Sequence, residues 1–149
     1  MPTQPRRTVH RNTPIRDVMN PLVVSIQLED RVGLADTLMS QNRFHHLPIL
    51  EGKILRGILS QTDLYKNMLS YFFVENDREQ RDFLDQYLNL EDVMTPDPIT
   101  IGPDETVGQA LDLMLEHRIG SLPVVNRQNE LLGIVTDFDM LRAMRDALG

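Results

Sequence analysis

Two segments of the sequence place a hydroxyl residue three positions before an aspartate. They read GILSQTD at 57–63 and GIVTDFD at 133–139. In both, a short apolar stretch typical of a strand precedes the hydroxyl residue and a helical pattern follows it. The hydroxyl can therefore cap the helix by accepting a hydrogen bond from a backbone N–H, while the aspartate complements the helix dipole. The same geometry can bind an anion, and the aspartate can accept hydrogen bonds from two vicinal hydroxyls, as on a ribose; the two interpretations are compatible.

The histidines do not predict a metal site. His45 and His46 are adjacent, and adjacent side chains of a strand point to opposite faces, so the two imidazoles cannot readily chelate one ion. The other pair, His10 and His117, has no carboxylate at an evident ligand spacing. Because the chain has no cysteine, disulfides, thiolate metal sites, thiol redox chemistry and a cysteine nucleophile are excluded.

Known catalytic motifs are missing from the sequence. It has no G-x-S-x-G elbow, no G-x-x-x-x-G-K-[ST] loop and no G-x-G-x-x-G fingerprint. Asp137 and Asp139 form a carboxylate pair, but they are near neighbours at a helix start and would not obviously flank a substrate. Since no set of nucleophile, base and orienting residue can be argued, we predict that the chain is not an enzyme.

An internal repeat organises the chain and contains both segments. DVMNP at 17–21 superimposes on DVMTP at 92–96 with a shift of 75 residues. One extra residue near Arg127 changes the shift to 76, so that Asp63 falls on Asp139. Matches in this order, with one gap of one residue, are not expected by chance.

Each copy of the repeat predicts the same elements. A helical turn at Asp17–Met19 or Asp92–Met94 leads to a brief strand near Val23–Ser25 or Ile99–Thr100. An amphipathic helix follows, then two apolar strands joined by a turn, and a closing helix that begins near Gln61 or near Asp137. The helix has core-facing residues at Val32, Ala35, Leu38 and Met39 and at Val107, Ala110, Leu113 and Met114. The strands are Leu47–Leu50 with Ile54–Leu59 and Leu122–Val125 with Leu131–Val135.

One such unit, of about 55 residues, has too small a core to be secure alone. We therefore expect an α+β fold in which two β-α-β-β-α units pack their sheets and methionine-bearing helices together about a pseudo-two-fold axis. Met39 and Met114 then serve as core filler. The expected boundaries are a flexible basic tail at 1–13, unit 1 at 14–69, a helical connector at 70–89 and unit 2 at 90–149.

Composition is that of a folded soluble protein, with 149 residues, 41% hydrophobic and 25% charged. No apolar run approaches the roughly 20 residues of a spanning helix, and the first residues lack a signal-peptide core, so we expect a cytoplasmic protein without membrane attachment. The net charge of −7 disfavours broad contact with nucleic acid. Only the tail, with Arg6, Arg7 and Arg11, could act as an anion-binding arm.

The connector at 70–89 has no counterpart in the second copy. It holds five of the eight aromatic residues, with helical spacing from Phe83 to Tyr87 and Leu90. The segment is either a helix packed on its own domain or an amphipathic surface for self-association or for a partner protein.

In its repeated motifs, the doubled unit resembles a CBS domain pair, or Bateman module, from about Thr13 to Ala147. The resemblance rests on DVMNP and DVMTP, on LPIL and LPVV, and above all on GILSQTD and GIVTDFD, which match the family signature G-h-x-[ST]-x-x-D. It implies clefts that bind adenosine-containing ligands such as AMP, ADP, ATP or S-adenosylmethionine. It also implies a regulatory module, not an enzyme, without an obligatory cofactor and with Mg²⁺ arriving only with a nucleotide.

The resemblance assigns ligand-binding roles in both halves. Asp63 and Asp139 would bind ribose hydroxyls, and Ser60 and Thr136 would lie at ribose or phosphate. The first strands would line the adenine pocket through Ser25 and Ile26 and through Thr100 and Ile101. The backbone around His46 and Pro48 and around Ser121 and Pro123 would flank the base.

The two halves differ where family members hold phosphate. His45 and His46 precede the LPIL strand, whereas Gly120 and Ser121 precede LPVV. We expect unequal sites, with phosphate bound more strongly on the histidine side and less strongly as pH rises through the imidazole range.

The family also implies pairing of modules, so we expect a homodimer of CBS pairs that signals through this association or through an effector protein. Three alternatives stay open: a ligand-free CBS scaffold for protein association, a small-molecule enzyme, and a nucleic-acid binder acting through the tail.

Overall fold

The computed structural model describes residues 9–42, 45–68, 85–86 and 88–149. The chain divides into two compact units. The central unit is Val24–Pro98, and the split unit joins the residues up to Val23 to Ile99–Gly149. Each unit therefore combines most of one copy of the repeat with the opening segment of the other copy.

The central unit is built on a sheet of order β1-β2-β3-β4. β1 (Ile26–Gln27) pairs in parallel with β2 (His46–Glu51), and β3 (Ile54–Ser60) pairs antiparallel with both β2 and β4 (Thr95–Pro96). The helices of this unit are α1 (Val32–Asn42), α2 (Gln61–Met68) and α3 (Leu90–Val93). Gly52 takes φ +63° in the turn from β2 to β3, a conformation that glycine adopts without cost.

The split unit repeats this arrangement. It contains a 3-10 helix at Ile15–Asp17, then α4 (Val107–His117), β5 (Ser121–Val125), β6 (Leu131–Thr136) and α5 (Asp137–Leu148). β5 and β6 pair antiparallel. Ile101 bridges to Val124 in parallel and Asn20 bridges to Ile134 antiparallel, at the positions that β1 and β4 hold in the central unit. The two sheets thus share one order, with the outer strands of the split unit reduced to single bridges.

Two glycines allow the opening segments to cross the sheets closely. A Cβ on Gly57 would lie 2.9 Å from the carbonyl oxygen of Thr95, and a Cβ on Gly133 would lie 2.9 Å from that of Asn20. Real Cβ atoms essentially never approach a neighbour this closely. The glycine of each signature is therefore required by a segment that belongs to the other copy of the repeat.

Each unit has its own apolar core. Met39 lies in the core of the central unit and Met114 in that of the split unit, both nearly fully buried, which confirms them as core filler. Leu38 and Leu113, on the same faces of α1 and α4, are partly buried against these cores. The 3.6-residue spacing in the sequence therefore identified the buried helix faces correctly.

The long strands and closing helices form where they were predicted, within one residue. The short elements are displaced. The helical turns lie at Ile15–Asp17 and Leu90–Val93, up to two residues before their predicted positions, and the first strand begins at Ile26 instead of Val23. In the second copy, the bridge at Ile101 replaces the strand predicted at 99–100. These elements are too short for a periodic pattern to locate, and pairing with a neighbouring strand decides their position.

Residues 9–13, predicted to be part of a flexible tail, have contacts in the split unit. The carbonyl oxygens of Arg11 and Thr13 accept hydrogen bonds from the backbone N–H groups of Gly108 and Val107, both at 2.9 Å. Arg11 also pairs with Asp112 at 2.9 Å. This part of the predicted tail therefore belongs to the split unit.

Most of the connector predicted at 70–89, including its aromatic residues, lies outside the described residues. At its end, Asp85 accepts a hydrogen bond from the backbone N–H of Gly33 at 2.8 Å, and Leu88 packs against the core of the central unit. Among the described helices, none is both long and apolar enough to span a membrane.

Candidate functional site

Ser60 and Asp63 form a reciprocal cap at the start of α2. The Asp63 backbone N–H donates to Ser60 Oγ at 3.0 Å, and the Ser60 backbone N–H donates to Asp63 Oδ2 at 3.1 Å. This is the capping box that the spacing predicts, and it fixes the carboxylate beside the helix N-terminus. Both side chains are half-buried.

Thr136 and Asp139 form the equivalent cap at the start of α5. Asp139 N–H donates to Thr136 Oγ1 at 3.2 Å, and Thr136 N–H donates to Asp139 Oδ2 at 2.9 Å. The Thr136 hydroxyl additionally donates to Asp139 Oδ2 at 2.9 Å. The capping interpretation therefore holds in both copies, and each aspartate is held by its own strand-to-helix junction.

A further contact at Asp63 was not predicted. The hydroxyl of Thr95, on β4, donates to Asp63 Oδ2 at 3.2 Å. Thr95 reaches this position because β4 pairs with β3 opposite Ile58, five residues before Asp63. The repeat alignment shows a hydroxyl residue in DVMTP where DVMNP has Asn20, but nothing in the sequence places Thr95 beside the signature of the other copy.

The strand register brings three predicted residues of the central unit onto one sheet face. His46 pairs with Ser60 and Pro48 with Ile58, and directly opposed residues of antiparallel strands share a face. Leu47 and Leu59, which alternate with them, are fully buried in the core. We call the face carrying His46, Pro48 and Ser60 the site face of this unit. His45, exposed, comes just before β2, and its carbonyl accepts a hydrogen bond from Gln61 N–H at 3.2 Å.

The split unit has an equivalent site face. Ser121 pairs with Thr136 and Pro123 with Ile134, while Leu122 and Val135 fill the core on the other side. Gly120 accepts a hydrogen bond from Asp137 N–H at 2.9 Å, as His45 does from Gln61. Ser121 is buried, with 7% of its surface exposed, whereas the matching His46 is half-buried. At this matched position the two faces thus differ in size and in polar group, an imidazole in one unit and a hydroxyl in the other.

The first-strand residues divide into core and half-buried positions. The side chains of Ile26 and Ile101 lie in the two cores, with 4% and 1% of their surface exposed. Ser25 and Thr100, the residues before them, are half-buried. Side-chain contact with a ligand is therefore open to Ser25 and Thr100, while the isoleucines hold the strand in place. Ile101 N–H donates to the Pro123 carbonyl at 3.0 Å, which ties this strand to the site face.

A cavity of about 520 Å³ opens in the split unit beside Thr100 and Ile101. Its lining runs over residues 100–105 and 125–127 and does not include Asp139. A smaller cavity of about 230 Å³ in the central unit lies between residues 28–31 on one side and residues 85 and 88–91 on the other. The larger cavity therefore meets the predicted adenine-lining strand but not the aspartate of the signature.

Over the described residues, no group of three or more histidine or acidic side chains is arranged to hold a metal ion. The chemistry of the two junctions is hydrogen bonding: carboxylate acceptors at Asp63 and Asp139, hydroxyl groups beside them, and backbone N–H groups at the helix starts.

The fold and the two junctions define a duplicated α+β domain, and comparison with known proteins identifies its family. The family model described as CBS domain matches residues 3–70 and 90–146. The chain belongs to the CBS domain family and carries two tandem copies of the domain.

Among similar proteins, the inosine-5'-monophosphate dehydrogenase of Korarchaeum cryptofilum is 36% identical over 118 residues, which are 79% of this chain and 21% of that protein. The chain thus spans about a fifth of that relative.

Two solved structures share the fold. CBSX2, solved with AMP, has a TM-score of 0.76 and is 24% identical over 92% of this chain and 99% of that one. The CBS domain pair of protein MJ0100, solved with 5'-methylthioadenosine and S-adenosyl-L-methionine, has a TM-score of 0.73 and 24% identity over 89% and 96%.

Proposed function

We propose that this chain is a regulatory module that binds an adenosyl ligand, AMP, ADP, ATP or S-adenosylmethionine, at the two signature junctions. The observation that carries the proposal is the duplication of one geometry. Asp63 and Asp139 are each fixed at a strand-to-helix junction next to a site face that carries a further polar residue, His46 or Ser121. The ligands named for the structural relatives, AMP in one and S-adenosyl-L-methionine in another, support this ligand class.

The capping hydrogen bonds do not use every acceptor position of the two aspartates. A carboxylate has about four acceptor positions, and a helix N-terminus leaves further N–H groups for an anion. A ribose can therefore bind Asp63 or Asp139 through its vicinal hydroxyls, and a phosphate can lie near Ser60 or Thr136. Ser25 and Thr100, half-buried beside the cores, would contact the adenine. Mg²⁺ would enter only as the counter-ion of a polyphosphate.

A thermal-shift screen with AMP, ADP, ATP, S-adenosylmethionine, NAD and adenosine tests the proposal. A ligand at 100 times its dissociation constant adds about 2.7 kcal/mol to the apparent stability. Asp63→Asn and Asp139→Asn keep one acceptor for the cap but lose the charge and the second acceptor, so the ligand-induced shift should fall. Gln109→Ala is the matched control, because Gln109 caps α4 in the same way with Thr106 and is not a predicted site residue. The proposal is wrong if no compound shifts the wild-type transition.

We also propose that the module acts as a homodimer and that α5 forms the contact. Phe138, Leu141 and Met144 line one side of this helix with 62%, 63% and 51% of their surface exposed. A helix of a folded domain seldom leaves such a stripe uncovered unless a partner binds it.

The stripe is self-complementary about Leu141. Phe138 precedes Leu141 by three residues and Met144 follows it by three, while Asp137 and Arg145 lie four residues away on either side. In an antiparallel pair of α5 helices, Leu141 meets its own copy, and Phe138 lies level with the partner subunit's Met144. Asp137 then lies level with the partner subunit's Arg145, so opposite charges flank an apolar centre. The order of apolar and charged residues along α5 therefore supports a second copy of the chain as the occupant of this surface.

The scaffold alternative makes a different prediction. A ligand-free CBS scaffold would associate through the same helix yet show no stabilisation by any adenosyl compound. The same proposal includes signalling to an effector protein and function in the cytoplasm. A pull-down from cytoplasmic extract, with and without ligand, would test whether a cytoplasmic protein binds the module in a ligand-dependent way.

A further inference from the structure

The two junctions differ in which hydroxyl donates to the aspartate. In the split unit the Thr136 hydroxyl donates to Asp139 Oδ2 at 2.9 Å. The capping box of α4 shows the same pattern, because the Thr106 hydroxyl donates to Gln109 Oε1 at 3.2 Å. In the central unit Thr95 donates to Asp63 Oδ2 instead. Over the residues that the structure describes, no hydrogen bond donated by the Ser60 hydroxyl is found.

We infer that Thr95 is a positioning residue that gives the central site its preference for a phosphate-bearing ligand, an inference that rests on the proposed function. By donating to Asp63, Thr95 leaves the Ser60 hydroxyl proton for an acceptor on the ligand. A hydroxyl carries one proton, so a hydroxyl that donates to its own aspartate cannot also donate to a phosphate. The split site, where Thr136 donates to Asp139, lacks this donor.

The position of Ser60 favours phosphate as the acceptor. Ser60 lies directly opposite His46 on the site face and adjoins the N-terminus of α2. A hydroxyl donor, an imidazole and helix N–H groups together are suited to an anion. At the matched position of the split unit, Thr136 is opposite Ser121, which adds no cationic form.

The opening segments, each contributed by the other copy of the repeat, explain why only the central site has a second hydroxyl that donates to its aspartate. Thr95 and Asn20 hold the same register position, opposite Ile58 and Ile134 respectively. The Asn20 side chain instead accepts a hydrogen bond from Leu22 N–H at 3.0 Å. Its backbone makes two hydrogen bonds with Ile134, at 2.9 and 3.0 Å, which do not depend on the side chain. The specificity of each junction is thus set by the opening segment of the other copy.

The test compares the affinity for AMP with the affinity for adenosine, both measured by calorimetry on the full chain. All chains carry Asp139→Asn, which weakens the split site so that binding at the central site is measured. In Thr95→Val, Ser60 can turn to Asp63, and the preference for AMP over adenosine should fall about tenfold, the loss of one hydrogen bond to a charged group. Thr95→Ser keeps the donor and should retain the preference. A merely structural role would weaken AMP and adenosine equally and leave their ratio unchanged.

The reciprocal substitution uses the other site. Asn20→Thr, in a chain with Asp63→Asn, should raise the preference of the split site for AMP over adenosine, because the new hydroxyl can relieve Thr136 of its donation to Asp139. An unchanged AMP-to-adenosine ratio in Thr95→Val overturns the inference while leaving the proposed function intact. Absence of binding of either compound to the wild-type chain overturns both.

Discussion

Asp63 accepts a hydrogen bond from the hydroxyl of Thr95 at 3.2 Å, although 32 positions separate the two residues and they belong to different copies of the repeat. The contact joins the first turn of α2 to β4, the strand that the second copy contributes to the sheet of the central unit. A ligand that binds Asp63 would therefore also stabilise the attachment of β4. Under the proposed function, ligand binding and the attachment of β4 to the central unit would be coupled through this one carboxylate.

The signature glycines should resist substitution. Gly57→Ala and Gly133→Ala place a methyl group 2.9 Å from the carbonyl oxygen of Thr95 or Asn20, so the opening segment must shift. We expect each change to lower the free energy of unfolding by about 1–3 kcal/mol, as overpacking does. Urea denaturation measures this. Gly102→Ala is the control, because its Cβ would meet nothing closer than Glu105 at 3.4 Å, and a comparable loss there would contradict the explanation.

The cap of α5 should be measurable independently of any ligand. Thr136→Ala removes the acceptor for Asp139 N–H and should lower the free energy of unfolding by about 1 kcal/mol. Thr136→Ser keeps the hydroxyl and should stay close to wild type. Chemical denaturation without ligand distinguishes the two, and equal stability of all three proteins would show that the box contributes nothing.

Ribose recognition predicts discrimination against deoxynucleotides. If Asp63 and Asp139 each accept hydrogen bonds from both vicinal hydroxyls, loss of the 2'-hydroxyl leaves a buried part of the carboxylate without a partner. We expect 2'-deoxy-AMP to bind about 10-fold to 100-fold more weakly than AMP in calorimetric titrations. Equal affinity for the two nucleotides would place the ribose away from the aspartates.

The histidines of the central unit predict a preference for phosphate at that site. His46 lies on the site face opposite Ser60, and His45 comes just before it. In a chain with Asp139→Asn, which isolates the central site, replacing both histidines by asparagine should lower the preference for AMP over adenosine, as calorimetric titrations would measure. An unchanged ratio of the two affinities would exclude a role for these histidines.

Self-association should depend on the centre of the α5 stripe and on its flanking charges. Leu141→Asp puts two carboxylates at the centre of the pair and should convert the dimer to a monomer, as sedimentation equilibrium would record. Asp137→Arg alone should weaken the dimer, and adding Arg145→Asp should restore it by exchanging the charges. Leu115→Asp is the control, since Leu115 is 77% exposed on α4 and lies outside the stripe. A wild-type chain that sediments as a monomer at all concentrations would disprove the contact.

Much of this protein can be predicted from the sequence because its signals are local. The buried faces of α1 and α4 follow from residues at spacings of three and four, and the pairing of Leu47–Leu50 with Ile54–Leu59 follows from two apolar runs around a turn. The caps at Ser60 and Thr136 also follow, because both partners of each cap lie within four residues. The duplication of the sequence is itself sufficient to predict two equivalent junctions.

The tertiary structure alone decided which segments complete each unit. The repeat boundary near residue 90 does not coincide with the boundary of the compact units at Val23 and Pro98, because DVMNP and DVMTP each pair with the β-hairpin of the other copy. Pairing between strands far apart in sequence depends on backbone hydrogen bonds and on steric fit at Gly57 and Gly133, and residue types do not encode these locally. For the same reason the sequence could name Asp63 as a candidate ligand-binding residue, while only the folded chain brings Thr95 to it.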